Sequence, residues 1–154
     1  MRRRDQRASL ISRVITIQNA QRKVRVAIDE LQDFAARALQ LCRRETSPAG
    51  SVLQTLGEVT AVLVSDRRIA ALHKKFMNIA GATDVITFDH GEIFISTETA
   101  QRQARVFHTS TDDEIKLYLV HGLLHLHGFD DLDVAARAEM EAVQTRIFRA
   151  ATKR

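Results

Sequence analysis

The sequence predicts an α+β fold, with helices packed on a small sheet and one helix at the centre. Short segments rich in β-branched residues alternate with longer segments whose apolar residues recur every three or four positions. The segment that follows residue 111 is apolar on nearly every side, which is typical of a buried helix. At 154 residues we expect one domain over 1–154, with residues 1–12 loosely ordered.

The first half of the chain predicts two strands and two helices. In the order strand, helix, strand, helix, they are expected at residues 14–17, 24–44, 59–64 and 66–78. Ser65 is a favourable N-cap for the second helix, because its hydroxyl can accept a hydrogen bond from a free backbone N–H. Ile69, Leu72 and Phe76 form the apolar face of that helix, and Asn78 with Gly81 predicts its end.

The second half predicts a hairpin followed by three helices. Strands at 85–88 and 92–95 flank the loop 89–91, whose last residue is a glycine suited to a left-handed turn. A polar helix is expected over 99–106. The sequence Thr-Asp-Asp-Glu at 111–114 reads as a capping box for a central helix that Gly128 ends, and the last helix is expected from Asp133 to about Ala150.

Composition narrows the function classes. No apolar run is long enough to cross a bilayer, and the start of the chain lacks the apolar stretch of a secretory signal. The single cysteine, Cys42, cannot form an internal disulfide, so a cytoplasmic protein is expected. The net charge of +4 makes RNA or DNA plausible as a partner. With one Tyr and no Trp, a platform for stacking bases is poorly supported.

Two histidines carry the chemical signal. His121 and His125 lie four residues apart on the predicted central helix, so their imidazoles project from the same side, one above the other. This geometry is typical of paired histidines that bind zinc. The alternative is two core histidines at this spacing by chance, but in so apolar a helix both rings need partners. The pattern therefore favours a metal site.

A third ligand is expected beyond the end of that helix. Gly128 allows the chain to turn back, so Asp130 or Asp131 can present a carboxylate to the two histidines. Two His and one carboxylate leave one coordination position open, as in catalytic zinc sites. His127 points away from the pair on a continuing helix, and we interpret it as an exposed or loop residue.

The segment HGLLHLHGFDD at 121–131 resembles the signature H-G-x-L-H-L-x-G-[FY]-D-H of the YbeY endoribonucleases. Upstream, Ser65-Asp66, TDVITF at 83–88 and GEIFIS at 91–96 are similar to further segments of that family, in the same order. The resemblance implies a four-stranded mixed sheet surrounded by helices. It also implies a zinc-dependent hydrolase that cleaves ribosomal RNA during maturation and quality control of the small ribosomal subunit, with one Zn²⁺ held by His121, His125 and Asp131.

The chain departs from the family pattern at two site positions. Asp131 stands where the family has a third histidine, so the ion would carry about one unit less positive charge. Met77 stands where the family usually has an arginine, and methionine cannot hold a phosphate oxygen as a guanidinium does. Arg68, Lys74 or Lys75 could take over this role if they reach the site.

The general base is not identified by the sequence. In H-E-x-x-H hydrolases a glutamate follows the first histidine, but here that position is Gly122. Asp84, Glu92 and Asp130 are the candidate bases, and Asp84 could instead brace the turn before its strand. Two other functions stay open: a zinc peptidase, against which Gly122 counts, and a ribosome-assembly factor whose metal is structural. The sequence predicts no oligomeric state.

Overall fold

The computed structural model describes residues 14–153. Within them the strands are β1 (Ile15–Asn19), β2 (Val59–Val64), β3 (Val85–Phe88) and β4 (Glu92–Ser96). The helices are α1 (Ile28–Arg44), α2 (Asp66–Met77), α3 (Thr97–Phe107), α4 (Thr111–Leu126) and α5 (Val134–Thr152). The expected loose order of residues 1–12 falls outside the described residues, and within them no helix is apolar enough over sufficient length to cross a membrane.

The four strands form one mixed sheet in the order β1-β2-β4-β3. β2 pairs in parallel with both β1 and β4, whereas β3 and β4 form the antiparallel hairpin that the sequence predicts. The hairpin turns at Gly91, whose φ is +105°. The predicted α+β class with a four-stranded mixed sheet is therefore confirmed.

The two faces of the sheet are covered differently. Ile93 and Ile95 of β4 belong to the main core, which α1, α4 and α5 share. Phe94 points to the other face, where Val62, Val64, Ile69 and Ile86 form a smaller cluster under α2. α4 packs against α1, α3, α5 and both strands of the hairpin, so it is the central helix that its sequence predicts.

α4 lies close to the sheet at Gly122. A Cβ atom at this position would lie 2.8 Å from Cγ2 of Ile93 and 3.3 Å from Oγ1 of Thr87. Any larger side chain would push the helix away from β3 and β4. The glycine therefore brings the histidine-bearing helix against the sheet.

Helix starts other than that of α2 differ from the prediction by one to four residues. α3 begins at Thr97 rather than at residue 99, and the Ser96 hydroxyl caps it by accepting from the N–H of Thr99. α1 begins at Ile28 rather than near Val24, because Gln21 exchanges hydrogen bonds with the backbone of Val24 and holds that segment in a turn. α4 is capped one residue earlier than predicted, by Ser110, whose hydroxyl accepts from the N–H of Asp113 at 3.1 Å.

Candidate metal centre

His121 and His125 project from one side of α4 and meet at their Nε2 atoms, which lie 3.0 Å apart. The rings are nearly perpendicular, at 81°. Both side chains are partly buried, and the helix that carries them packs against β3. The spacing of four residues thus produces the pairing that the sequence predicts.

Each ring is oriented by its other nitrogen. Nδ1 of His121 lies 2.9 Å from Oε1 of Gln144 on α5, and Nδ1 of His125 lies 3.1 Å from the carbonyl oxygen of Phe129. Both partners are acceptors, so both Nδ1 atoms carry the proton in the neutral imidazoles. The two Nε2 atoms therefore face each other with lone pairs, an arrangement that a shared cation stabilises.

Asp131 completes the cluster after a tight turn. Gly128 adopts φ +96° and reverses the chain beyond the helix. Oδ2 of Asp131 then lies 4.0 Å from Nε2 of His121, with the two side chains 45% and 25% exposed, respectively. The ligand atoms of His121, His125 and Asp131 all lie within 4.8 Å of one another, and among residues 14–153 this is the one such group of metal-binding side chains.

The donor set fits a divalent metal. Ligand atoms 2.0–2.2 Å from a tetrahedral ion lie about 3.3–3.6 Å apart, and the observed 3.0 and 4.0 Å separations lie on either side of that range. Burial lowers the pKa of His125, and the neighbouring His121 lowers it further. His125 is therefore neutral at pH 7, which is the state that binds metals.

The three residues open onto a cleft of about 410 Å³ between α4 and β3. Its other walls are Met77, Asp84, Val85, Ile86, Thr87 and Asp89. Among the described residues no lysine or arginine lines this cleft. Arg68, Lys74 and Lys75 do not reach it, and Lys74 instead donates to Oδ1 of Asn78. The cleft thus combines a metal-binding cluster with two further carboxylates.

The three candidate bases have different positions. Asp84 lines the cleft, where its Oδ1 accepts from the N–H of Val85 at 2.8 Å and so also braces the strand start. Glu92 points to the sheet face opposite α4 and contacts Nε2 of His90, so the structure does not bring it to the site. Asp130 is exposed outside the cleft and accepts from the N–H of Leu132.

His127 lies in the turn that ends α4 and is buried, so of its interpretation as an exposed or loop residue the loop position is confirmed and the exposure is wrong. Only 1% of its surface is exposed. Its Nε2 donates to the carbonyl of Glu45 at 2.6 Å, and Nδ1 accepts from the hydroxyl of Ser51 at 2.7 Å. The segment after α1 covers the end of α4 and contributes both partners, which no pattern near residue 127 reveals.

Sequence reasoning missed three residues of the site. Gln144 lies on the buried side of α5, between Met140 and Ile147. A polar residue on this apolar side of the helix is the sequence pattern that could have indicated it. Asp89 was seen only as a hairpin residue. Arg137 lines a smaller cavity of about 130 Å³ together with His121, Asp131, Met140, Glu141 and Gln144.

Comparison with known proteins places this arrangement in a family. The sequence profile described as Endoribonuclease YbeY matches residues 16–152, which include the whole cluster and all of the fold's elements except the first residue of β1. The chain belongs to the YbeY endoribonuclease family. The resemblance read from the sequence motifs is thereby confirmed.

Relatives named Endoribonuclease YbeY are identical to this chain at about a third of the aligned residues. The protein of Bacteroides thetaiotaomicron is 32% identical over 116 residues, covering 68% of this chain and 85% of its own. That of Acidothermus cellulolyticus is 30% identical over 148 residues, covering 81% and 85%. A solution structure of a Thermotoga maritima protein has a TM-score of 0.62 at 24% identity over 89% of this chain and 88% of its own, and supports the fold.

Proposed function

We propose that this protein is a metal-dependent endoribonuclease that cleaves ribosomal RNA during maturation and quality control of the small ribosomal subunit. The proposal rests on one observation: in this member of an endoribonuclease family, three metal-binding side chains converge beside an open cleft, namely His121, His125 and Asp131. The cytoplasm, where ribosomal RNA is matured, is the proposed location. The net charge of +4 is consistent with an anionic substrate.

Zinc is the ion we propose for the cluster. Two imidazoles and a carboxylate form a donor set of the kind found in catalytic zinc sites, and it leaves a coordination position open. When bound, the ion supplies Lewis-acid polarisation of a phosphate oxygen. Gln144 and the Phe129 carbonyl hold both histidines in the tautomer that presents Nε2 to the ion.

Asp84 is the base that we favour among the three candidates. It is the one that lines the cleft, and its second oxygen, Oδ2, accepts no hydrogen bond from a described residue. This oxygen can take the proton of an attacking water, while Oδ1 remains held by the Val85 N–H. The contact that braces the strand therefore also positions the base.

The alternative functions fit the site less well. A peptidase of the H-E-x-x-H type needs its glutamate at residue 122, where even a Cβ atom would lie 2.8 Å from Ile93. A purely structural metal is usually enclosed by four protein ligands, whereas this cluster offers three and opens onto a cleft.

Cleavage assays on the metal-loaded full chain separate these functions. We expect cleavage of ribosomal RNA and none of casein, and we expect His121→Ala to abolish RNA cleavage. His108→Asn is a matched control, since His108 is exposed outside the cleft in the left-handed region that Asn also adopts. Cleavage of casein would indicate a peptidase. Cleavage of neither substrate would favour an assembly factor, and unchanged RNA cleavage by His121→Ala would refute the proposed site.

A further inference from the structure

The cleft is lined by negative charges and lacks the positive charge that would attract a phosphodiester. Asp84, Asp89 and Asp131 place three carboxylates around it, and no basic residue of the described chain lines it. A single divalent ion does not neutralise three negative charges. An RNA phosphate is itself an anion, so binding beside this cluster requires a further cation from the protein.

Arg137 is the basic residue adjacent to the metal-binding cluster. It lines the smaller cavity on the α5 side, and His121 and Asp131 line both this cavity and the cleft. The two residues therefore form a shared wall, with Met77 on one side of it and Arg137 on the other. Asp133 caps the first turn of α5 and accepts from the backbone N–H of Arg137, which fixes the position of that turn.

The guanidinium of Arg137 is available for a ligand. Its side chain is exposed and makes no hydrogen bond or ion pair with any residue between 14 and 153. A guanidinium presents several donors in a planar fork that matches two oxygens of one phosphate. This is the recognition that Met77, which lines the cleft on the other side of His121 and Asp131, cannot provide.

We propose that Arg137 forms a phosphate-binding site next to the metal cluster and holds the oxygens of an RNA phosphodiester there. The inference rests on the proposed function, because it assigns the substrate of the same site. An RNA strand that leaves the cleft over His121 and Asp131 would enter the cavity lined by Arg137, so the phosphate held there would neighbour the one that the cluster faces.

A plainer role for Arg137 is an ion pair with Glu141, one helical turn further along α5. Glu141 lines the same cavity, but no oxygen of Glu141 lies within 4.0 Å of the guanidinium. Such an exposed pair would contribute a few tenths of a kcal/mol to stability and nothing to RNA binding. The two roles therefore predict different effects of the same substitutions.

The test compares Arg137→Ala, Arg137→Lys and Glu141→Gln in the metal-loaded full chain. Arg149→Ala is the matched control, since Arg149 is an exposed arginine near the other end of the same helix and lines neither cavity. Two quantities are measured: kcat/KM on ribosomal RNA, and binding of a 2′-O-methyl oligoribonucleotide by fluorescence anisotropy over a range of NaCl concentrations. A gel verifies that this probe stays intact, and elemental analysis verifies the metal content.

Arg137→Ala should lower kcat/KM at least tenfold and weaken binding of the probe about fivefold, at unchanged metal content. The slope of log affinity against log salt should fall by about 0.7, the amount expected for one lost phosphate contact on a single strand. Arg137→Lys should lie between Ala and wild type, because lysine keeps the charge and loses the fork. Arg149→Ala should keep the wild-type values, and Glu141→Gln, which removes a negative charge from the cavity of Arg137, should bind the probe no more weakly than the wild type.

Equal binding and equal kinetics in Arg137→Ala and Arg149→Ala would overturn the assignment of Arg137 while leaving the proposed function intact. A wild-type protein that cleaves no RNA would refute the proposed function instead. In that case the binding measurements still test the role of Arg137. A smaller slope of log affinity against log salt in Arg137→Ala supports the phosphate site, and an unchanged slope overturns it.

Discussion

Gln144 accepts a hydrogen bond at 2.9 Å from Nδ1 of His121, across the contact between α5 and α4. The amide oxygen can only accept, so it holds the proton on Nδ1 and leaves Nε2 of His121 to the metal cluster. A residue 23 positions along the chain thus determines which nitrogen of a candidate ligand is available.

Gln144→Leu should reduce zinc affinity ten- to a hundredfold, on the order of what removal of a ligand's hydrogen-bond partner costs. Competition with a chelating dye measures the dissociation constant. Gln144→Glu keeps an acceptor at this position and should retain tight binding. Equal affinities of the Leu variant and the wild type would show that Gln144 does not orient His121.

Asp131→Ala should retain much less zinc than the wild type, because it removes the one carboxylate within residues 14–153 whose oxygen forms a cluster with the two imidazoles. Asp130→Ala is the matched control: its side chain instead accepts from the N–H of Leu132 and lies outside the cluster. Elemental analysis of both variants after the same dialysis makes the comparison. Equal loss from both would exclude Asp131 as the specific third ligand.

Met77→Arg should raise kcat/KM on ribosomal RNA, by about tenfold, because it places a guanidinium among the aspartates of the cleft. Ile79→Arg adds the same charge at an exposed residue that does not line the cleft, and it controls for a general increase in RNA attraction. If both variants gain equally, the effect arises from net charge and not from the cleft.

Gly122→Ala should lower the free energy of unfolding by about 1–3 kcal/mol, the usual cost of overpacking. The added methyl would lie 2.8 Å from Cγ2 of Ile93 and 3.2 Å from its Cδ1. Gly57→Ala is the matched control, since a Cβ atom there meets nothing within 4 Å and Gly57 has no positive φ. Urea unfolding of both variants tests the difference, and an unchanged midpoint in Gly122→Ala would contradict the close packing.

Asp66 should make stability depend on pH in the acid range. Partial burial raises the pKa of the Asp66 carboxyl, but hydrogen bonds from Arg102, Ser96 and Thr99 lower it by more. The pKa therefore falls from an ordinary 3.8 to about 2. The stabilisation is therefore full above pH 3.8 and is lost as pH falls towards 2. Because the side chain is 24% exposed, we expect it to amount to on the order of 1 kcal/mol.

Thermal unfolding of Asp66→Asn across this pH range measures that contribution. The difference in Tm between wild type and variant should be largest above pH 4 and shrink towards pH 2. Glu139→Gln, which removes an exposed carboxylate from α5, should show no such trend. A constant difference at every pH would mean that Asp66 stabilises the fold by packing rather than by its charge.

Periodicity and capping located most elements to within a few residues. The sequence predicted β2 with its observed ends, placed the hairpin turn at Gly91 and assigned Ser65 as the N-cap of α2, where its hydroxyl accepts from the N–H of Arg68. These features depend on neighbouring residues along the chain, so local patterns suffice to predict them. The extent of the domain over 1–154 stays a prediction.

The sequence by itself determined the histidine pair, because a spacing of four residues on a helix places two side chains on one side whatever else the chain does. The motif order across residues 60–131 also indicated the family, which the sequence profile confirms. Only the tertiary structure decided which groups surround that pair. Gln144 contacts His121 from α5, and Asp84 and Arg137 line the spaces beside the pair. Ser51, 76 positions away, donates to the buried His127. Such contacts follow from packing between distant segments, which no local spacing encodes.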